Sequence, residues 1–145
     1  MRKKAYQKTV FANGLTLVTE RHKEFKGLSV GIFVKIGPRH EQTKLAGVSH
    51  FLEHMLFKGT ATRSALEIAK SIDQVGGELN AYTSREYTCF HVTLLARDVG
   101  LAFDILTDIL LNSVFDSDEF ERERKVVLQE IAMVEENPEE LAYDL

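Results

Sequence analysis

The chain has 145 residues, 44% apolar and 28% charged, with nine Gly and two Pro; this is one domain's worth of globular composition and excludes disorder, collagen-like repeats and low-complexity structure. No apolar run approaches the ~18 residues of a membrane span, and Met1-Arg-Lys-Lys leads into Ala5-Tyr-Gln-Lys-Thr-Val rather than an apolar segment, so neither a signal peptide nor a membrane partner is expected. The net charge of −4 divides into −8 over residues 116–145 and +4 over residues 1–115, the latter spread singly beyond Met1-Arg-Lys-Lys, which argues against nucleic acid as a partner.

In chain order, Asn13-Gly14 predicts a hairpin between Thr9–Ala12 and Leu15–Glu20. Leu28, Val30, Ile32, Val34 and Ile36 alternate, which predicts a strand with one apolar face, ended by Gly37-Pro38. A helix is expected from near Gly47 to Gly59, with Val48, Leu52, Met55 and Leu56 at helical spacing. Ser64 and Glu67 form a capping box for a second helix, whose stripe is Ala65, Ile68, Ala69, Ile72 and Val75 before Gly76-Gly77. Leu79 to Leu95 returns to β patterning, with Phe90, Val92 and Leu94 alternating. A third helix is expected over about Val99–Leu111. A fourth, over about Asp118–Val134, is capped by Asp116 with Glu119 or by Ser117. Asn137-Pro138 interrupts it, and Glu139–Leu145 resembles a further helical start. The order predicts a mixed α/β or α+β sandwich, a sheet with helices packed on one face.

His50-Phe-Leu-Glu53-His54 carries the chemistry. The two histidines are four apart, about 40° around a helix, so both imidazoles leave one face and can meet at one metal ion. Imidazole suits zinc. Glu53 lies beside the pair, as a base for a water at that metal would; this is the H-x-x-E-H order. A solvated helix face carries such a pair equally well, and two histidines leave a catalytic zinc one ligand short. Glu130 offers the third: Val126, Val127, Met133 and Val134 surround it at helical spacing, and an inward carboxylate is costly unless paired or metal-bound. Glu123 lies on the same face, about 20° away. The pair reads as one ligand and one carboxylate that holds a ligating His, or else as partners of a core-edge Arg.

Gly47-Val-Ser-His-Phe-Leu-Glu-His-Met-Leu-Phe-Lys-Gly-Thr60 resembles the zinc-site helix of the pitrilysin/insulinase metallopeptidases, especially the processing-peptidase β-like branch. The resemblance continues through Gly76-Gly-Glu-Leu-Asn-Ala-Tyr-Thr-Ser-Arg-Glu-Tyr-Thr88 and Glu121-Arg-Glu-Arg-Lys-Val-Val-Leu-Gln-Glu-Ile131. It implies a largely antiparallel sheet with helices on one face. It also implies His50, His54 and Glu130 as Zn2+ ligands, Glu53 as general base and Glu123 as a supporting acid. Asn80 and Ala81 would lie on the edge strand that pairs with an extended peptide. The implied activity is a zinc metalloendopeptidase acting on peptides or unfolded protein segments; the alternative is a non-catalytic peptide-binding or scaffold subunit of a peptidase complex. Active members resemble tandem repeats of a larger domain. Residues 1–145 would then be the N-terminal zinc-binding part of one metallopeptidase domain, weakly active or inactive alone, with the C-terminal half as a partner and a homo- or heterodimer as further partners. A bacterial cytoplasm is the expected setting, ahead of a mitochondrial matrix.

The remaining polar residues carry plainer readings. His22 and His40 are expected on the surface, and His91 on a polar strand face. Arg85 and Glu86 are expected on an exposed bend. Cys89 is expected as a small buried thiol; alone, it forms no internal disulfide and fits a reducing compartment.

Overall fold

Asn13-Gly14 makes the first turn. In the computed structural model, which describes residues 6–136, β1 (Tyr6–Val10) and β2 (Thr16–Glu20) pair antiparallel around it. The Phe11 N–H donates to the Leu15 carbonyl, the Gly14 N–H donates to the Phe11 carbonyl, and Gly14 sits at φ +87°. This is a three-residue hairpin loop closed by a left-handed glycine. The loop is Ala12-Asn13-Gly14, closed by Phe11 and Leu15, and the first strand is Tyr6–Val10 rather than Thr9–Ala12.

A second antiparallel sheet contains β3 (Gly27–Val34), β4 (Glu78–Thr83) and β5 (Thr88–Leu95) in the order β3-β5-β4. The β stretch Leu79–Leu95 is thus two strands, joined by a turn in which the Ser84 N–H donates to the Tyr87 carbonyl. β3 stops at Val34, and Ile36 is exposed. Register sets Leu28, Val30 and Ile32 opposite Leu94, Val92 and Phe90, and Leu79 and Ala81 opposite Val92 and Phe90. Side chains alternate across a sheet, so these residues build one apolar face.

Helices cover that face. α1 (Val48–Leu56) ends three residues before Gly59, and α2 (Ala65–Asp73) opens on the expected Ser64–Glu67 capping box. α3 (Val99–Leu111) runs as predicted. Leu56, Ile68, Ile72, Ala102, Ile105, Leu106 and Ile109 pack with Phe90, Val92 and Leu94 as one core. α4 (Ser117–Glu135) packs on α1. Its cap is Asp116, which accepts from the Asp118 and Glu119 N–H groups; Ser117 is already the first helical residue. The α+β class and the antiparallel pairing stand, but the strands divide between two sheets rather than joining one. The expected break at Asn137-Pro138 and the segment Glu139–Leu145 lie outside the described residues. Among the described residues, no helix is long and apolar enough to cross a membrane.

The loop after β3 ties the sheet to α1. Gly37 lies against the β4–β5 turn so closely that a Cβ there would come 2.4 Å from the Ser84 carbonyl oxygen. The Arg39 N–H donates to the Arg85 carbonyl at 3.0 Å, and the Arg39 guanidinium pairs with Glu86. Glu41 then caps α1 from a distance: its carboxylate accepts from the Gly47 and Ser49 N–H groups, both at 2.7 Å. Gly47 has no side chain to do this itself, and a carboxylate suits a helix N-terminus. Burial opposes ionisation of Glu41, but the hydrogen bonds from Ser49 and Gly47 hold its carboxyl below the ordinary value.

A second tie joins the α1–α2 loop to α3. Asp108 is 6% exposed, and its side chain accepts from the Thr60 and Thr62 hydroxyls, Arg63 and Asn112. Burial pushes its pKa up, but these four donors outweigh burial and bring it down to about 2. A carboxyl depressed on folding contributes stability above its unfolded pKa of ~3.9 and loses it as pH falls through the folded value. Stability measured by denaturant unfolding should therefore fall between about pH 4 and pH 2. Asp108→Asn should lower stability at pH 7 and flatten that acid limb; an unchanged limb would show that another carboxyl controls it.

Candidate metal centre

α1 places His50 and His54 one turn apart, and their Nε2 atoms converge to 3.1 Å. α4 brings Glu130 to them, with Oε2 3.5 Å from each Nε2. One ligand atom from each of the three lies within 4.8 Å of the others, a grouping that could hold a metal ion. A tetrahedral ion with bonds of ~2.0–2.2 Å sets its donors roughly 3.3–3.5 Å apart. The two separations to Glu130 match this spacing and the 3.1 Å between the imidazoles is slightly shorter, and two imidazoles with one carboxylate are a zinc donor set. The His54 side chain is 19% exposed, whereas His50 and Glu130 are 39% and 43% exposed, so the grouping opens to solvent on their side. That leaves room for water or substrate.

Glu123 stands behind His54. Its side chain is 7% exposed, with Oε1 2.8 Å from His54 Nδ1 and Oε2 2.5 Å from Lys58 Nζ. Burial opposes its charge, but the hydrogen bonds from Lys58 and His54 hold its carboxyl below the ordinary value. A carboxylate at Nδ1 assigns the proton there and leaves Nε2 as a lone-pair donor facing His50 and Glu130. Of the two readings of the inward acids, Glu123 meets both: it holds a His and pairs with a cation, which is Lys58 rather than an Arg.

Glu53 leaves α1 toward β4, where the Thr83 hydroxyl donates to its Oε2 at 2.6 Å. Asn80 and Ala81 lie on β4, one of the two edge strands of its sheet among the described residues. Ser84 and Tyr87 are bonded across the turn, and bonded and non-bonded pairs alternate along an antiparallel ladder. Asn80 and Tyr82 therefore bond to β5, while Ala81 and Thr83 turn their N–H and C=O groups outward. The Asn80 Oδ1 accepts from the outward Ala81 N–H at 2.8 Å.

The insulinase (peptidase family M16) profile matches residues 16–145. The chain belongs to the insulinase family. An uncharacterised zinc protease of Bacillus subtilis, YmxG, is 44% identical over 92% of the chain and 32% of its own length. One from Mycobacterium leprae is 46% identical over 95% of the chain and 31% of its own. The crystal structure of a protease from Helicobacter pylori superposes with a TM-score of 0.81 at 28% identity, covering 86% of this chain and 30% of that one. The chain thus spans about a third of the length of the relatives it matches. Zinc, named in the curated relatives, agrees with the donor set here.

Within this insulinase-family chain, Lys58, Thr83 and Glu41 escaped the sequence reading. Lys58 lies four residues after His54, a spacing that could have marked it as a partner for an inward acid. Thr83 and Glu41 act across 30 and six to eight residues and carry no local signal. His22 and Arg85 are exposed and His91 half-buried, while Cys89 is 2% exposed and burial pushes its thiol pKa up. Glu123→Ala should weaken zinc binding roughly 10–100-fold in chelator competition, because His54 loses its orienting partner. Wild-type affinity in that variant would show that packing alone orients the ring.

Proposed function

We propose that this chain supplies the metal-binding and proton-transfer groups of a zinc metalloendopeptidase acting on extended peptides or unfolded protein segments. The convergence of His50, His54 and Glu130 on one point, with Glu53 on the same helix, carries the reading. His50, His54 and Glu130 would hold the ion. When bound, zinc supplies a Lewis acid that acidifies water and polarises a carbonyl. Glu53 would take the proton of the attacking water and deliver it to the leaving amine. His54 keeps its tautomer through Glu123.

The outward groups of Ala81 and Thr83 would receive the peptide as an added strand, with a substrate carbonyl replacing Asn80 Oδ1 on the Ala81 N–H. Backbone pairing reads no side-chain identity, which suits an unfolded segment. The relatives are about three times as long as this chain, so turnover is assigned to the native-length protein. In it, residues 1–145 would form the N-terminal zinc-binding part, and the remainder would close over the peptide. Bacterial relatives support a bacterial cytoplasmic setting.

Glu53→Gln in the native-length protein should keep stoichiometric zinc and lose roughly 10²–10⁴-fold in kcat. Full hydrolysis of a quenched peptide by that variant would remove Glu53 as the base. His54→Ala and Glu130→Gln should each lower zinc content in metal analysis; a full complement of zinc would remove that residue from the ligand set.

A further inference from the structure

We propose that Thr83 is the positioning residue of Glu53, and that it joins the peptide-binding edge to the proton-transfer group within one residue. The inference rests on the reading of Glu53 as the base. A glutamate on a helix face rotates about three side-chain bonds, and a base works only when one oxygen stays within hydrogen-bond reach of its proton. Thr83 removes that freedom. Its hydroxyl has one proton, donated to Glu53 Oε2 at 2.6 Å, which leaves Oε1 as the oxygen free to accept.

The donor is itself held. Thr83 is β-branched, so its χ1 is stiff. It pairs with Thr88 at the end of the ladder, and the Thr88 hydroxyl donates to the Ile36 carbonyl at 3.0 Å. The adjoining turn is closed by Ser84 and Tyr87 and packed on Gly37 without room for a Cβ. The loop that carries Gly37 continues to Glu41, which fixes the N-terminus of α1. Donor and acceptor are thus anchored by one loop, from opposite sides.

Thr83 uses different atoms for its two tasks. Its hydroxyl faces α1, while its N–H and C=O face the free edge of β4. A side-chain substitution therefore removes the hold on Glu53 and leaves the backbone groups that would bind peptide. A positioning role thus predicts an effect on kcat with little on KM.

The test uses the native-length protein loaded with zinc and a quenched peptide substrate, with wild type, Thr83→Val, Thr83→Ser and Glu53→Gln in parallel. Thr83→Val keeps the shape without the donor and should lower kcat roughly 10–100-fold, with KM within about twofold and zinc stoichiometry unchanged. Thr83→Ser restores a donor and should recover most of the loss. Wild-type kcat in Thr83→Val beside an inactive Glu53→Gln would overturn the positioning role and leave the base in place. Loss of zinc, a change confined to KM, or failure of Thr83→Ser to recover kcat would likewise overturn it. Full activity in Glu53→Gln would instead overturn the base, and this inference with it.

Discussion

The buried charge of Glu123 determines how the site assembles. A carboxylate 7% exposed to solvent is tolerated only with donors at both oxygens, and both donors come from one short stretch: His54 at 2.8 Å and Lys58 at 2.5 Å. α4 can satisfy this requirement in one rotation and one register against α1. Glu130 follows seven residues later, about 20° around the axis. Satisfying Glu123 therefore delivers Glu130 to the imidazoles without a separate device. The same contact sets which nitrogen of His54 carries the proton, so helix docking and the His54 tautomer are decided together.

This explains why much of the site was legible in the sequence. His50, Glu53 and His54 occupy one helical turn, and periodicity alone sets their relation. Glu130 announced itself as an acid inside an apolar stripe. The hairpin, the capping box and the alternation of β3 and β5 are likewise local signals. What escaped depends on distant chain. α1 stops before Gly59 because the residues beyond it are engaged elsewhere: Gly59 bridges to Ser64, Thr60 bridges to Ser113, and the Thr60 hydroxyl donates to Asp108, 48 residues away. Asp108 interrupts the apolar sequence of α3 and gives no sign that Arg63 waits for it. The Thr83 hydroxyl meets Glu53 only because the β4–β5 turn is pressed on Gly37.

The acids of α4 also divide by face. Glu119 and Glu121 pair with Arg122 and Arg124 on the exposed side of α4, in i,i+3 contacts worth little to stability. Glu123 and Glu130 turn to α1. α4 thus carries two kinds of acid, and their neighbours along the helix tell them apart: charged residues around the solvated ones, apolar residues around Glu130.

Under the proposed function, β4 would serve two purposes. An edge strand with unpaired amides invites unwanted pairing, and natural edges are covered or blunted. Here the Ala81 N–H is covered by the side chain of its own neighbour, Asn80. That cover is weak protection against an acceptor of equal quality, because exchanging one carbonyl for another leaves the number of hydrogen bonds unchanged. The exchange is favoured only by a segment that supplies further pairs along the edge, as an extended chain does and a folded surface does not. Under that reading, selection for unfolded substrates would need no side-chain pocket: it would follow from an edge covered at Ala81 and opened by a strand.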